Sequence, residues 1–173
     1  MDTPNDAEVS MALDGIKRFC FEHGLGIAVA ESVSAGLLQS LLSSETEAGL
    51  FFEGGMTTYN CKQKQQFLDI PLEICDPCNG VDEEISRRMA LKICDLFDCD
   101  IGLSLTGYAS PIPEQGKFDL FAFGAIALHG NVIYCEKIIS KKQSPDGIRK
   151  DYAEFLLITC FKMLDLQRQT KNT

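Results

Sequence analysis

Two serines and a carboxylate stand together where an apolar segment gives way to small residues: Ile27-Ala28-Val29-Ala30-Glu31-Ser32-Val33-Ser34-Ala35-Gly36-Leu37-Leu38. A serine hydroxyl in such a place can attack a carbonyl carbon once a neighbouring base takes its proton, or it can grip an anion. The order of residues reads as a strand over 27–31, a tight turn, and a helix over 34–44 with Leu37, Leu38, Leu41 and Leu42 as its apolar stripe. A turn of this kind aims free backbone N–H groups and the positive end of a helix dipole at whatever binds there. A serine at a strand–helix junction is also an ordinary N-cap, so residue type by itself does not separate the two roles. A second junction lies where the short apolar strand Ile101–Leu105 stops at Thr106-Gly107. Both junctions fall at strand carboxyl ends, where ligands bind in open α/β sheets, and together they can line one pocket.

The elements that must position these residues are legible from periodicity. Residues 1–6 read as frayed, and Val9, Leu13, Ile16, Cys20 and His23 then mark one face of a helix stopped by Gly24. His23 reads as a helix-end residue over the core rather than a ligand. Phe51 to Tyr59 is a second strand, Lys62 to Leu68 a short helix, and 69–81 a loop rich in Pro, Asp, Asn and Gly. Asp82 caps a helix with Ile85, Met89 and Ile93 inward. A proline-bearing loop follows the 101–105 strand, and strands 118–128 and 131–139 form a hairpin through Gly130-Asn131. Ser144-Pro145 starts the last helix, with Ile148, Tyr152, Phe155, Leu156, Thr159 and Met163 as its buried stripe, and the tail from about Gln167 reads as loose. Helices alternating with strands, plus one hairpin, predict an α/β fold: a three-layer α/β/α sandwich with a mixed sheet, one domain over 1–173.

Composition narrows the classes of function. The chain has 173 residues, 45% apolar and 24% charged, which suits a single globular domain. No apolar run approaches the roughly 20 residues of a membrane span, and the N-terminus lacks the basic and apolar regions of a signal peptide. A cytoplasmic location with no membrane partner is the expectation. A net charge of −9 argues against nucleic acid as a partner, and the short Lys137–Lys142 patch reads as a solvated strand end. The eight cysteines are expected to be mostly reduced thiols, several of them packed as small hydrophobes. Cys75-Asp76-Pro77-Cys78 with Cys94 and Cys99 imitates a four-thiolate zinc site only faintly, since the second pair is too widely spaced and Cys94 lies in a helical pattern. No metal and no cofactor are expected.

Taken together, these blocks resemble the CinA C-terminal domain family, whose best-known activity is nicotinamide mononucleotide deamidation. The family pattern A-E-S-C-T-G-G is similar to Ala30-Glu31-Ser32-Val33-Ser34-Ala35-Gly36. Its G-x-x-x-Y-S-N-E-x-K block is similar to Gly55-Met56-Thr57-Thr58-Tyr59-Asn60-Cys61-Lys62-Gln63-Lys64, with Phe67-Leu68-Asp69-Ile70 standing for the following L-G-V. Asn79-Gly80-Val81-Asp82-Glu83-Glu84-Ile85 resembles a G-A-V-S-E-E-V helix start, and Thr106-Gly107-Tyr108-Ala109-Ser110-Pro111 resembles a T-G-I-A-G-P turn. The blocks keep the family's order over nearly the whole chain. The resemblance implies a serine amidohydrolase in which Ser32 is the nucleophile, Lys64 its base and Tyr59 a neighbour. It further implies that Glu31, Val33, Ser34, Ala35, Gly36, Thr106 and Gly107 bind a small-molecule substrate, such as a pyridine nucleotide; Arg149, which matches no family motif position, is added to that set as a candidate.

The chain departs from the pattern at several points. Val33 replaces the family cysteine, Ala35 one turn glycine, and Cys61 the asparagine. Beyond Pro111 a glycine run and a K-P-V-G segment give way to Ile112-Pro113-Glu114-Gln115-Gly116-Lys117. The late G-D-R motif corresponds to Gln143-Ser144-Pro145, so its arginine is absent, and Arg149 one turn on is the candidate replacement. These departures keep a second function open, a catalytically silent ligand-binding or assembly module of the same fold. A stand-alone form of the module, without the extra N-terminal domain of full-length CinA proteins, is the expectation. Phe118, Leu120, Phe121 and Phe123 offer more apolar surface than one sheet face buries, which predicts a homo-oligomer, specifically a dimer.

Overall fold

The computed structural model describes residues 4–116 and 118–171. Asn5 opens α1 (Asp6–His23) with a reciprocal cap: its side chain accepts from the Glu8 amide, and the Glu8 carboxylate accepts from the Asn5 amide. The helix thus begins at Asp6, inside the stretch read as frayed. Gly24, left-handed at φ 65°, ends it, and His23 stacks on Phe19 with Nδ1 2.9 Å from the Phe19 carbonyl. β1 (Ile27–Glu31) leads through a turn to α2 (Leu37–Ser43), which starts later than residue 34 because residues 32–36 are held in the turn.

β2 (Phe52–Thr57) is followed by α3 (Cys61–Leu68), capped by the Asn60 side chain. The stretch read as a loop over 69–81 instead winds into α4 (Leu72–Cys75) and a 3-10 turn, Asp76–Cys78. Its prolines do not oppose this: Pro71 precedes the first helical residue and Pro77 sits in a first turn, where a missing N–H costs nothing. Then come α5 (Glu83–Phe97), β3 (Ile101–Gly107), β4 (Ala122–Leu128), β5 (Asn131–Ile138) and α6 (Pro145–Lys171). Two differences mark the end of the chain. The hairpin turns on His129-Gly130, one residue earlier than expected, both at positive φ (48° and 74°), which matches strand twist. The tail from Gln167 stays helical to Lys171, and Arg168 pairs with Glu22 of α1.

The described strands form one mixed sheet in the order β2-β1-β3-β4-β5, with β1 parallel to β2 and β3, and β4 antiparallel to β3 and β5. Helices cover both faces, α1, α2 and α6 on one and α3, α4 and α5 on the other, the three-layer sandwich expected. The two faces are unequal. Ile27, Val29, Ile101, Leu103, Leu105 and Ile126 point into the α1–α6 core. Their neighbours toward α5 are small: Ala28, Ala30, Gly102, Ser104, Ala125 and Ala127. That difference lets α5 approach so closely that a Cβ on Gly102 would sit 2.0 Å from the Ala90 carbonyl oxygen. Ser104 satisfies its buried hydroxyl across the same contact, donating to the Ser86 carbonyl at 2.6 Å.

Of the aromatic cluster at the hairpin, Phe121 lies edge-on between Tyr108 and Phe123 with the Lys137 ammonium 3.8 Å over its ring, while Phe118 remains 65% exposed. Among the described residues no helix is long and apolar enough to cross a membrane.

Candidate active site

The carboxyl ends of β1, β2 and β3 share one edge of the sheet, and backbone bonds lace the loops that leave it. The Ser32 amide donates to the Leu105 carbonyl at 2.9 Å, and the Thr58 amide to the Glu31 carbonyl at 2.8 Å. Ser32 is therefore held as a continuation of β1.

The turn that follows is organised by Glu31. Its side chain is fully buried and its carboxylate accepts three amides: Gly36 at 2.9 Å, Leu38 at 3.1 Å and Gln39 at 3.0 Å. Those are the orphan N–H groups of the first turn of α2, for which no local N-cap side chain is present. Glu31 thus acts as a remote cap of α2, both its carboxylate oxygens accepting backbone amides. Ala35 and Gly36 carry the bend at φ 53° and 104°. The Ala35 value is a left-handed conformation that a glycine adopts with less strain.

Lys64 enters from the other side. It lies on the buried stripe of α3 with Cys61 and Leu68, and only 1% of it is exposed. Its Nζ donates to the Thr58 carbonyl at 2.7 Å and to Ser32 Oγ at 3.0 Å. Burial is the main influence on the amine and brings its pKa down to about 8; a thiolate at Cys78 would act in the opposite direction. A buried lysine with a lowered proton affinity, bonded to a serine at a strand end, can serve as a base toward that hydroxyl.

Ser32 opens onto a cleft of about 280 Å³. Of the residues singled out from sequence, Ser32, Val33, Tyr59, Gly107 and Arg149 line it. Tyr59 is 64% exposed at its mouth. Arg149 pairs through Nη1 with Asp146 at 3.1 Å, and its Nε is buried with no hydrogen-bond partner among the described residues. Ser34, Ala35, Gly36 and Thr106 do not line the cleft. The Ser34 hydroxyl is buried with no hydrogen-bond partner among the described residues, and Thr106 Oγ1 donates to the Gly80 carbonyl at 2.6 Å. Asn79 and Tyr108 are wall residues whose roles sequence alone did not single out. Both stood inside the quoted blocks, and only the folded loops bring them to Ser32.

The cysteines resolve differently from their spacing. Cys75 is joined to Cys61, with Cα atoms 5.6 Å apart, and the other six are free thiols. A bonded Cys75 supplies no thiolate to a metal, and Cys94 is buried with its Sγ 3.5 Å from the Ala90 carbonyl. Among the described residues no three His, Cys, Asp or Glu side chains converge as a metal site.

Comparison with known proteins agrees with this architecture. A competence-damage inducible protein of Bacillus velezensis is 30% identical over 150 residues, which are 87% of this chain and 36% of the relative. The Bacillus subtilis protein of the same name is 30% identical over 146 residues, 84% of this chain and 35% of the relative. The chain thus spans about a third of the length of these curated relatives. Among solved structures, a competence or damage-inducible protein from Enterobacter asburiae superposes with a TM-score of 0.84 at 21% identity, covering 90% of this chain and 98% of that one. A CinA superfamily protein from Enterobacter cloacae gives 0.85 at 20% identity, with 95% and 96% covered. The CinA C-terminal domain profile matches residues 11–158, and the chain belongs to that family.

Proposed function

We propose that this domain is a serine amidohydrolase that converts the carboxamide of a pyridine nucleotide, in the manner of nicotinamide mononucleotide deamidation, to the acid and ammonia. The observation that carries the proposal is the 3.0 Å hydrogen bond between Lys64 Nζ and Ser32 Oγ, made by a buried amine whose pKa is held near 8. In its neutral form Lys64 takes the Ser32 proton as Oγ bonds to the carboxamide carbon. The amides of Val33 and Ser34, in the turn beside Ser32, are the candidate donors to the oxyanion. Collapse returns the Lys64 proton to the leaving nitrogen, which departs as ammonia and leaves an ester on Ser32. Water, deprotonated by Lys64, then adds to that ester, and the proton goes back to Oγ as the acid leaves.

No metal or cofactor is needed in this sequence of steps. Arg149, with a buried and unpartnered Nε at the cleft, is suited to the phosphate of such a substrate, and Tyr59, which lines the same cleft, is the candidate to stack on the ring. The cleft's volume of about 280 Å³ lies just below the usual range of ligand pockets.

The test is ammonia release from nicotinamide mononucleotide by wild type, Ser32→Ala and Lys64→Met. Both variants are expected to lose about a thousandfold or more in turnover. The wild-type rate should rise with pH through an apparent pKa near 8, as the amine becomes neutral. Thermal stabilisation by the nucleotide with no ammonia from the wild type would replace the hydrolase with a silent binding module.

A further inference from the structure

The short helix α3 carries Cys61 in its first turn and Lys64 three residues on, and the two side chains share the buried stripe. Cys61 is bonded to Cys75 at the end of α4, so a covalent tie joins the start of α3 to the neighbouring segment. That tie lies against the lysine. A Cβ built on Gly80 would meet Cys61 Sγ at 3.3 Å, Cys75 Sγ at 3.4 Å and Lys64 Cδ at 3.4 Å, so both sulfurs and the lysine stem pack over the same backbone position. The floor beneath them is fixed from both ends. The Gly80 amide donates to the Cys75 carbonyl at 2.8 Å, and the Gly80 carbonyl accepts the Thr106 hydroxyl at 2.6 Å. Gly80 itself sits at φ 71°, where a side chain would be strained as well as obstructed.

A buried ammonium gains by moving to water, and a clasp one turn away opposes that movement. We infer that Cys61 and Cys75 constitute a thiol–disulfide site whose bridged form holds Lys64 against Ser32 and whose reduction by a dithiol releases the lysine. This inference rests on Ser32 and Lys64 being the reacting pair, but its positional content can be read without turnover. Cys61 is 8% exposed and Cys75 is fully buried, so attack falls on Cys61. One thiolate of the dithiol bonds to Cys61 Sγ, the Sγ–Sγ bond breaks, and Cys75 leaves as a thiolate that takes up a proton. The second thiol of the reductant then closes on the first and frees Cys61 as a thiol. Two electrons pass to the protein, and the dithiol ends as its own disulfide.

The experiment uses the intact chain purified in air. Non-reducing peptide mapping first identifies the bridge. Dithiothreitol then cleaves it, and oxidised dithiothreitol restores it. In each state the acetylation of Lys64 by acetic anhydride at pH 7.5 is read by mass spectrometry, with exposed Lys162 as an internal standard, alongside ammonia release and far-ultraviolet circular dichroism. Reduction is expected to raise Lys64 acetylation about fivefold relative to Lys162, to lower turnover about tenfold, and to leave the circular dichroism unchanged, all reversed on reoxidation. The Cys61→Ala/Cys75→Ala variant should match the reduced state with or without dithiothreitol. A Cys75–Cys78 bridge in the untreated protein, unchanged Lys64 acetylation after cleavage, or loss of the helical signal on reduction would each overturn the inference. If no state releases ammonia but Lys64 acetylation responds as described, the hydrolase reading fails and the clasp stands.

Discussion

Lys64 should be a measurable burden on the fold at neutral pH. Its pKa falls from 10.5 in the unfolded chain to about 8 in the folded protein, chiefly because the buried site disfavours the charge. The sign follows from proton counting. Below pH 8 both states carry the proton and the folded protein bears the whole desolvation cost. Between pH 8 and 10.5 the unfolded chain holds more protons than the folded one, so stability rises with pH. The displacement corresponds to about 3 kcal/mol at pH 7, falling to about 2 at pH 9 and about 1 at pH 10.

Lys64→Met keeps most of the apolar volume and removes the titration. It also strands the Thr58 carbonyl and the Ser32 hydroxyl, a pH-independent loss of roughly 1–3 kcal/mol. The quantity to follow is therefore how the stability gap between variant and wild type changes with pH, not its size at one pH. Urea unfolding of both oxidised proteins at pH 7, 8, 9 and 10, monitored by circular dichroism, gives that gap. It should move toward the wild type by about 2 kcal/mol between pH 7 and 10. A gap constant to within about 0.5 kcal/mol would mean that Lys64 is not a buried amine with a depressed pKa, and the proposed base would lose its physical ground.

Four further outcomes are expected. Glu31→Gln weakens the carboxylate cap on the amides of Gly36, Leu38 and Gln39, and should lower stability by roughly 2–4 kcal/mol in urea unfolding while reducing ammonia release through a displaced Ser32 turn. Gly102→Ala drives a methyl group into the Ala90 carbonyl and should cost about 3 kcal/mol or more, seen as a large drop in Tm or as insoluble protein. Opening the Cys61–Cys75 bridge, whose partners are 14 residues apart, should lower stability by about 3 kcal/mol from loop entropy; equal urea midpoints with and without dithiothreitol would refute this. For the oligomer, we propose a dimer through the exposed Phe118 face; light scattering that gives a monomer at micromolar concentration would reject it.

Helix and strand existence was legible in the chain because burial imposes periods on it. The stripes of α1, α5 and α6 and the apolar runs of β1 and β3 required no partner to be recognised. Where local preference and tertiary packing competed, packing prevailed. The 69–81 stretch has a loop's composition, yet Cys75 and Ile70 are fully buried in the core beneath α5 and draw that segment into α4. Ser32 and Lys64 were both visible as residue types in suggestive places, and so was the turn between β1 and α2.

Sequence spacing carries no information about which distant side chains meet. That Glu31 is used up in capping α2, that Thr106 is bound to Gly80, and that Cys75 joins Cys61 rather than Cys78 were decided by three-dimensional packing. The sequence by itself determined the layered α/β architecture and the strand ends where a ligand would sit, because alternation and amphipathic periods are local properties. Only the tertiary structure placed the Lys64 amine 3.0 Å from Ser32 Oγ and shut it away from water. A contact across 32 residues and a low proton affinity both arise from neighbours that the linear chain does not reveal.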